Sequence, residues 1–221
     1  STLVGKNATV VITASRGAVS LTQSLDVTGT SFTVSVAPAS VVGGSQNSVG
    51  TVTLQKPAPA GGVAVSLSSS ATAAATVPSS VVIAEGETSV TFPITSKVVL
   101  SEVTATITSR IGTTNATATL VVKPISLVGF TITPNQLRPF KNAIGVVSLE
   151  APAPKGGTKV TLTLDTGVFA VYPQTLSVTV LEGQTTAQFT LQSKRFSIPF
   201  QTTVSATAGS ASKSVVVSIL R

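Results

Sequence analysis

The segment KPAPAGGVAVSLSSS at residues 56–70 returns as APAPKGGTKVTLTLD at residues 151–165, so that Pro57 is answered by Pro152, Gly61 by Gly156, Val65 by Val160 and Leu67 by Leu162. One displacement of 95 positions, read from Pro57 to Pro152, covers all four matches. Self-similarity at a fixed spacing is the mark of a tandem array, in which each copy is a folding unit of its own. The motif also says what kind of unit. Prolines in the Pro-x-Pro segment cannot donate to a sheet ladder, so the segment ends one strand and carries the chain across to another. The Gly-Gly permits the turn. Beyond it Val63, Val65 and Leu67 alternate with Ala64, Ser66 and Ser68, a period of two that puts one face in a core and the other in water.

A chain of 221 residues with copies about 95 residues long holds small domains rather than one large one. Val, Thr, Ser and Ala dominate, with 17 Gly and 12 Pro, and the Leu/Glu/Lys/Arg richness of helical proteins is missing. The fold class expected is all-β. Cys, Met, Trp and His are absent, which removes thiol chemistry, Cys/His zinc sites and imidazole bases together. A chain without oxidisable sulfur suits exposure outside the cell.

The net charge is +7, but only 10% of residues are charged. Residues 1–124 carry six basic and four acidic side chains, and residues 125–221 carry eight and three. The basicity therefore sits in the second half. Binding to nucleic acid calls for Arg and Lys interleaved with aromatic platforms, and one Tyr and eight Phe at core-like positions do not supply them. No apolar run reaches the roughly 18 residues that span a bilayer, so no membrane insertion is expected. The chain starts without Met and is read as a piece of something longer.

Residues 1–29 form an expected hairpin. Its runs at 8–14 and 19–28 match the later hairpin at 102–123, with TVVIT at 9–13 against TATIT at 104–108 and Leu25 and Val27 against Leu120 and Val122. This stretch therefore reads as the C-terminal hairpin of an incomplete preceding repeat. The first complete repeat is read over residues 30–124, with seven strands, and the second over 125–221 in the same order. Expected core residues are Val52, Leu54, Val65, Leu67, Phe92 and Ile94, matched by Val147, Leu149, Val160, Leu162, Phe189 and Leu191. Seven short strands punctuated by turn residues argue for a sandwich of two sheets. The junction around Lys123-Pro124-Ile125 is short and poor in Gly, from which a stiff, rod-like array of sandwiches is expected.

With the PAPAGG crossing, the SSSATAAATVPSSVVIAEGETSVTFPIT run and the VTATITSRIGTTNATATLVV hairpin in view, the chain resembles the bacterial immunoglobulin-like repeats of large surface proteins. That resemblance covers nearly all of it. It implies seven-strand sandwiches strung into stalks, adhesins, surface-layer or filament components, located at the cell surface. Its motifs are architectural and speak hardly at all to a ligand. Some relatives carry Lys–Asn isopeptide cross-links beside a buried acid, but neither repeat here offers a core-facing Lys with an acid at a matching strand position.

Catalysis finds no constellation. The acids are Asp26, Glu85, Glu87, Glu102, Glu150, Asp165 and Glu182. Only Glu85 and Glu87 are close, flanking a turn glycine as solvated turn residues do. No Asp-rich calcium loop occurs, and no Ser-x-x-Lys stands at a helix start. No cofactor or metal is expected, and no enzyme. Asn7-Ala8-Thr9 and Asn115-Ala116-Thr117 fit the glycosylation triplet, which arises by chance in a Thr-rich chain. Tyr172 beside Pro173 reads as a sandwich residue rather than a sugar platform.

The leading expectation is a non-catalytic structural segment of an extracellular surface protein, with neighbouring repeats or subunits of the same protein as partners. The rival is a binding module that attaches to an acidic cell-surface polymer through Lys155, Lys159, Lys194 and Arg195.

Overall fold

The structure is a computed structural model that describes residues 8–27, 29, 31–164, 167–172 and 176–221, with Val171 and Tyr172 as backbone only. Alternation of apolar and hydroxyl residues makes strands, and every regular element among the described residues is one. β1 (Ala8–Arg16) and β2 (Val19–Val27) pair with each other as a two-stranded sheet. Neither joins any other sheet among the described residues.

Nine strands follow: β3 (Phe32–Ala37), β4 (Ser40–Val42), β5 (Ser48–Leu54), β6 (Val63–Ser69), β7 (Ala75–Thr76), β8 (Ser80–Ile83), β9 (Ser89–Ser96), β10 (Val103–Ile111) and β11 (Thr114–Lys123). They make a sheet of order β3-β5-β9-β7 and another of order β4-β11-β10-β6-β8. Nine more repeat the plan: β12 (Leu127–Thr133), β13 (Gln136–Leu137), β14 (Asn142–Leu149), β15 (Thr158–Thr163), β16 (Phe169–Tyr172), β17 (Ser177–Val180), β18 (Thr186–Ser193), β19 (Phe200–Ala208) and β20 (Ala211–Ile219). Their sheets are β12-β14-β18-β16 and β13-β20-β19-β15-β17. Adding nine to a strand's number gives its counterpart, and the same rule carries β1 and β2 onto β10 and β11. By backbone proximity, residues 122–221 with 41–46 and 96–103 form one compact unit, and the remaining described residues form another.

The first, third, seventh and fifth strands of a repeat, side by side in that order and opposed to a sheet built around the final hairpin, make an immunoglobulin-like arrangement. The fold is therefore all-β and immunoglobulin-like in each repeat. The Pro-x-Pro segment does cross between sheets, from β5 to β6 and from β14 to β15. Among the described residues each repeat has nine strands where seven are expected from the pattern. The additional ones, β4 and β7 in the first repeat, are three and two residues long, too short for a period of two to show. β4 is recruited by backbone bonds to β11, with Val121 N–H donating to Ala39 at 2.9 Å and Gly43 N–H to Lys123 at 2.9 Å.

The twelve expected core residues are all buried, Val52, Val65, Ile94, Val147, Val160 and Leu191 completely. A slip of one residue would have turned the whole set to solvent, so the register is the one the alternation demands. Each such side chain contributes about 1.5–3 kcal/mol by leaving water. In the second repeat both sheets feed one core, where the rings of Phe130 and Phe189 stack with centroids 6.2 Å apart and planes 18° off parallel. Phe130 is brought there by a bulge between Leu127 and Gly129, the extra residue that moves the displacement from 95 at Phe32/Leu127 to 96 at Val34/Phe130.

Buried serines hold the chain where it passes into β5 and β14. Ser193 Oγ donates to the Arg138 carbonyl at 2.6 Å and accepts from Lys141 N–H at 3.2 Å. Its counterpart Ser96 donates to the Gln46 carbonyl at 2.5 Å and accepts from Gly44 N–H at 3.0 Å. Both are buried, so these hydroxyls replace the water that the loop's backbone groups have lost.

Candidate functional site

The crossing loop that carries Lys155 is held by the turn between β17 and β18. Ala153 N–H donates to Gln184 at 2.8 Å, Gly183 N–H to Ala153 at 2.9 Å, and Gly156 N–H to Glu182 Oε2 at 3.3 Å. In the first repeat Ala58 N–H donates to Glu87 at 2.8 Å, Gly86 N–H to Ala58 at 2.9 Å, and Gly61 N–H to Glu85 Oε2 at 3.1 Å. The two recurring motifs, PAPxGG and Glu-Gly, are thus two halves of one fastening. Glu85 is exposed, as a turn residue is, yet its carboxylate also accepts a backbone bond from the glycine turn. The sequence signal for this was the joint recurrence of the two motifs.

Strand register places the four candidate cations. β14 and β18 run antiparallel from Asn142↔Gln192 to Ser148↔Thr186. The loop at 150–157 therefore leaves β14 where β18 begins, and the loop at 194–199 leaves β18 where β14 begins. Lys155 and Lys159 lie at the first end, Lys159 opposite Thr179. Lys194 and Arg195 lie at the other. The eight residues of β14 separate the pairs by about 25 Å, at roughly 3.3 Å per residue. The structure does not bring the four together. Each pair also has company that a plain anion site lacks: Glu182 reaches the amide next to Lys155. At the opposite end stand exposed Phe140 and Ile198 and the edge-on pair Phe196–Phe200, centroids 4.9 Å apart. Phe140 has φ +61°, unusual for a bulky residue.

Asn115 is exposed at the start of β11. Asn7, Asp165 and Pro173 lie outside the described residues, as does the side chain of Tyr172. Among the described residues no three carboxylates gather into a group that could hold a metal ion. Among the described residues no helix is long and apolar enough to cross a membrane.

These features define a class, tandem immunoglobulin-like sandwiches, and comparison with known proteins adds likenesses of form. No family model matches the chain. No curated protein matches it. Among solved structures, it is similar to domains 4 and 5 of the S-layer protein SbsC, at 16% identity and TM-score 0.35, covering 86% of this chain and 96% of that one. It is similar to invasin, a bacterial integrin-binding protein, at 11% identity and TM-score 0.47, covering 86% of this chain and 39% of that one. It is also similar to FdeC, an Escherichia coli adhesin, at 14% identity and TM-score 0.36, covering 97% of this chain and 74% of that one.

Proposed function

We propose that the chain is a non-catalytic structural segment of an extracellular bacterial surface protein, a repeat of the kind that builds stalks, filaments, surface layers or adhesins. Its partners in this reading are neighbouring repeats or subunits of the same protein. One observation carries the reading: what the two repeats reproduce is framework, and what they vary is surface. The fastened crossing loop and the buried serine recur. Lys155 and Lys159, by contrast, have Ala60 and Ala64 as counterparts, and Arg195 has Val98.

Antibodies against the chain, applied to intact and to opened cells of the source bacterium, test location; equal labelling of both is expected. Labelling confined to opened cells would overturn the proposal.

A further inference from the structure

Three hairpins of this chain share one design. β1–β2, β10–β11 and β19–β20 each turn through two residues, Gly17-Ala18, Gly112-Thr113 and Gly209-Ser210, with φ of +61°, +57° and +57° at the glycine. Positive φ at the first central residue alone is the signature of a type II′ turn, whose twist suits paired strands. Pairing in the first hairpin is unbroken from Ala8↔Val27 to Arg16↔Val19.

In the complete repeats one face of this hairpin lies in the core, Ile107, Leu120 and Val122 fully buried in the first and Val204 and Val217 in the second. The positions of Ile107 and Leu120 are held in the first hairpin by Ile12 and Leu25, which are 55% and 52% exposed. Its other face is built for water: Thr9 Oγ1 donates to Asp26 Oδ1 at 2.6 Å, and the Ser15 and Ser20 hydroxyls bond at 2.8 Å. The hairpin thus has the two-faced pattern of a sandwich sheet with its core side open.

We propose that β1–β2 is the closing hairpin of a third sandwich and that its occupant is the strand set that residues 32–96 represent, a copy of this repeat lacking its own last hairpin. The inference rests on reading the chain as a tandem array. Both complete repeats specify the same docking register. β10 receives β6 with Ser109↔Leu67 and Arg110↔Ser66. β19 receives β15 with Ala206↔Leu162 and Thr207↔Thr161. Carried back along the repeat, both registers fall on Ala14 and Ser15 of β1, so the leucine of the incoming strand stands opposite Ala14. The β2 edge takes a short parallel strand, as β20 takes β13 through Leu137↔Ile219. A second copy's hairpin could satisfy an edge or cover the face; only a sandwich strand set does both at once.

The test is to fuse a copy of residues 30–95 ahead of Ser1, which restores the repeat spacing, and to follow amide hydrogen exchange in the fusion and in the 221-residue chain. Amides of β1 and β2 should exchange at least about 100-fold more slowly in the fusion, and the added strands should be protected too. The double variant Ile12→Asp, Leu25→Asp in the fusion should abolish protection of the added strands and leave that of residues 125–221 unchanged. Equal exchange of the hairpin in both proteins, or an added segment that stays unprotected, would overturn the proposal. So would slow exchange in the 221-residue chain that is lost on dilution, which would make a second copy the partner. None of these outcomes depends on where in the cell the protein resides.

Discussion

Gly50 faces Phe92 across β5 and β9, and the phenyl ring lies where a Cβ on Gly50 would stand. Gly145 and Phe189 repeat the relationship across β14 and β18. The missing side chain makes the space into which the largest core residue folds. Replacing Gly50 or Gly145 by Ala should destabilise its repeat by about 1–3 kcal/mol, because a fully packed ring cannot step aside without strain. Phe92→Ala or Phe189→Ala should cost about 3–5 kcal/mol by opening a cavity. Chemical denaturation checks both, and the pair must be strongly non-additive: once Phe92 is Ala, adding Gly50→Ala should be nearly free. Additive losses would refute the packing.

Ser193→Ala should lower stability by about 1–2 kcal/mol, since it removes the hydroxyl's bonds to the Arg138 carbonyl and from the Lys141 amide and leaves those two groups only their mutual bond of 3.2 Å. Ser96→Ala should behave alike in the first repeat. Urea midpoints measure the loss. Unchanged midpoints would mean that water replaces the hydroxyl.

Gly61 and Gly62 both have positive φ, +88° and +73°, yet they differ in room. A Cβ on Gly61 meets nothing, whereas one on Gly62 comes within 2.7 Å of the Ile83 carbonyl oxygen. Gly61→Ala should cost the left-handed penalty alone, about 1–2 kcal/mol. Gly62→Ala should cost clearly more, and Gly156→Ala and Gly157→Ala should rank the same way in the second repeat. Thermal melts that fail to separate the members of a pair would contradict this account of the loop.

Lysine and arginine pairs at opposite ends of a sandwich act independently. Retention on an anionic resin should fall by similar steps for Lys155→Gln/Lys159→Gln and for Lys194→Gln/Arg195→Gln, and the four-fold variant should show the sum, with each step shrinking as salt rises. Loss of all retention from one pair alone would instead locate a dedicated anion site.

How much of this was legible beforehand follows from how each feature is written in the chain. Val65 and Leu67 announce their burial because a half-buried strand must alternate, and the echo at Val160 and Leu162 confirms the phase. Strands β4 and β7 left no such trace; they exist because longer strands beside them offer hydrogen bonds. The relation of Gly50 to Phe92 was invisible for a different reason, since it depends on which residues face each other across strands 42 positions apart. The four cations shared a composition but not a place: Lys155 and Lys194 are both loop residues of one repeat, and only the antiparallel register of β14 and β18 reveals that their loops are at opposite ends.

The parallel pairing of β13 with β20 ties the beginning of the second repeat to its end, reinforced where Arg138 Nη1 donates to the Arg221 carbonyl at 3.0 Å. The chain enters this repeat at the crossing-loop end, where Leu127 faces Leu149, and leaves at the other, where Ile219 faces Phe200. Tension between entry and exit is directed along the strands, so the rungs joining β13 to β20 are sheared together instead of being unzipped one after another. Under a stretching force the sandwich should resist and then yield in a single abrupt event, whereas gradual peeling from either terminus would show that these rungs do not carry the pull.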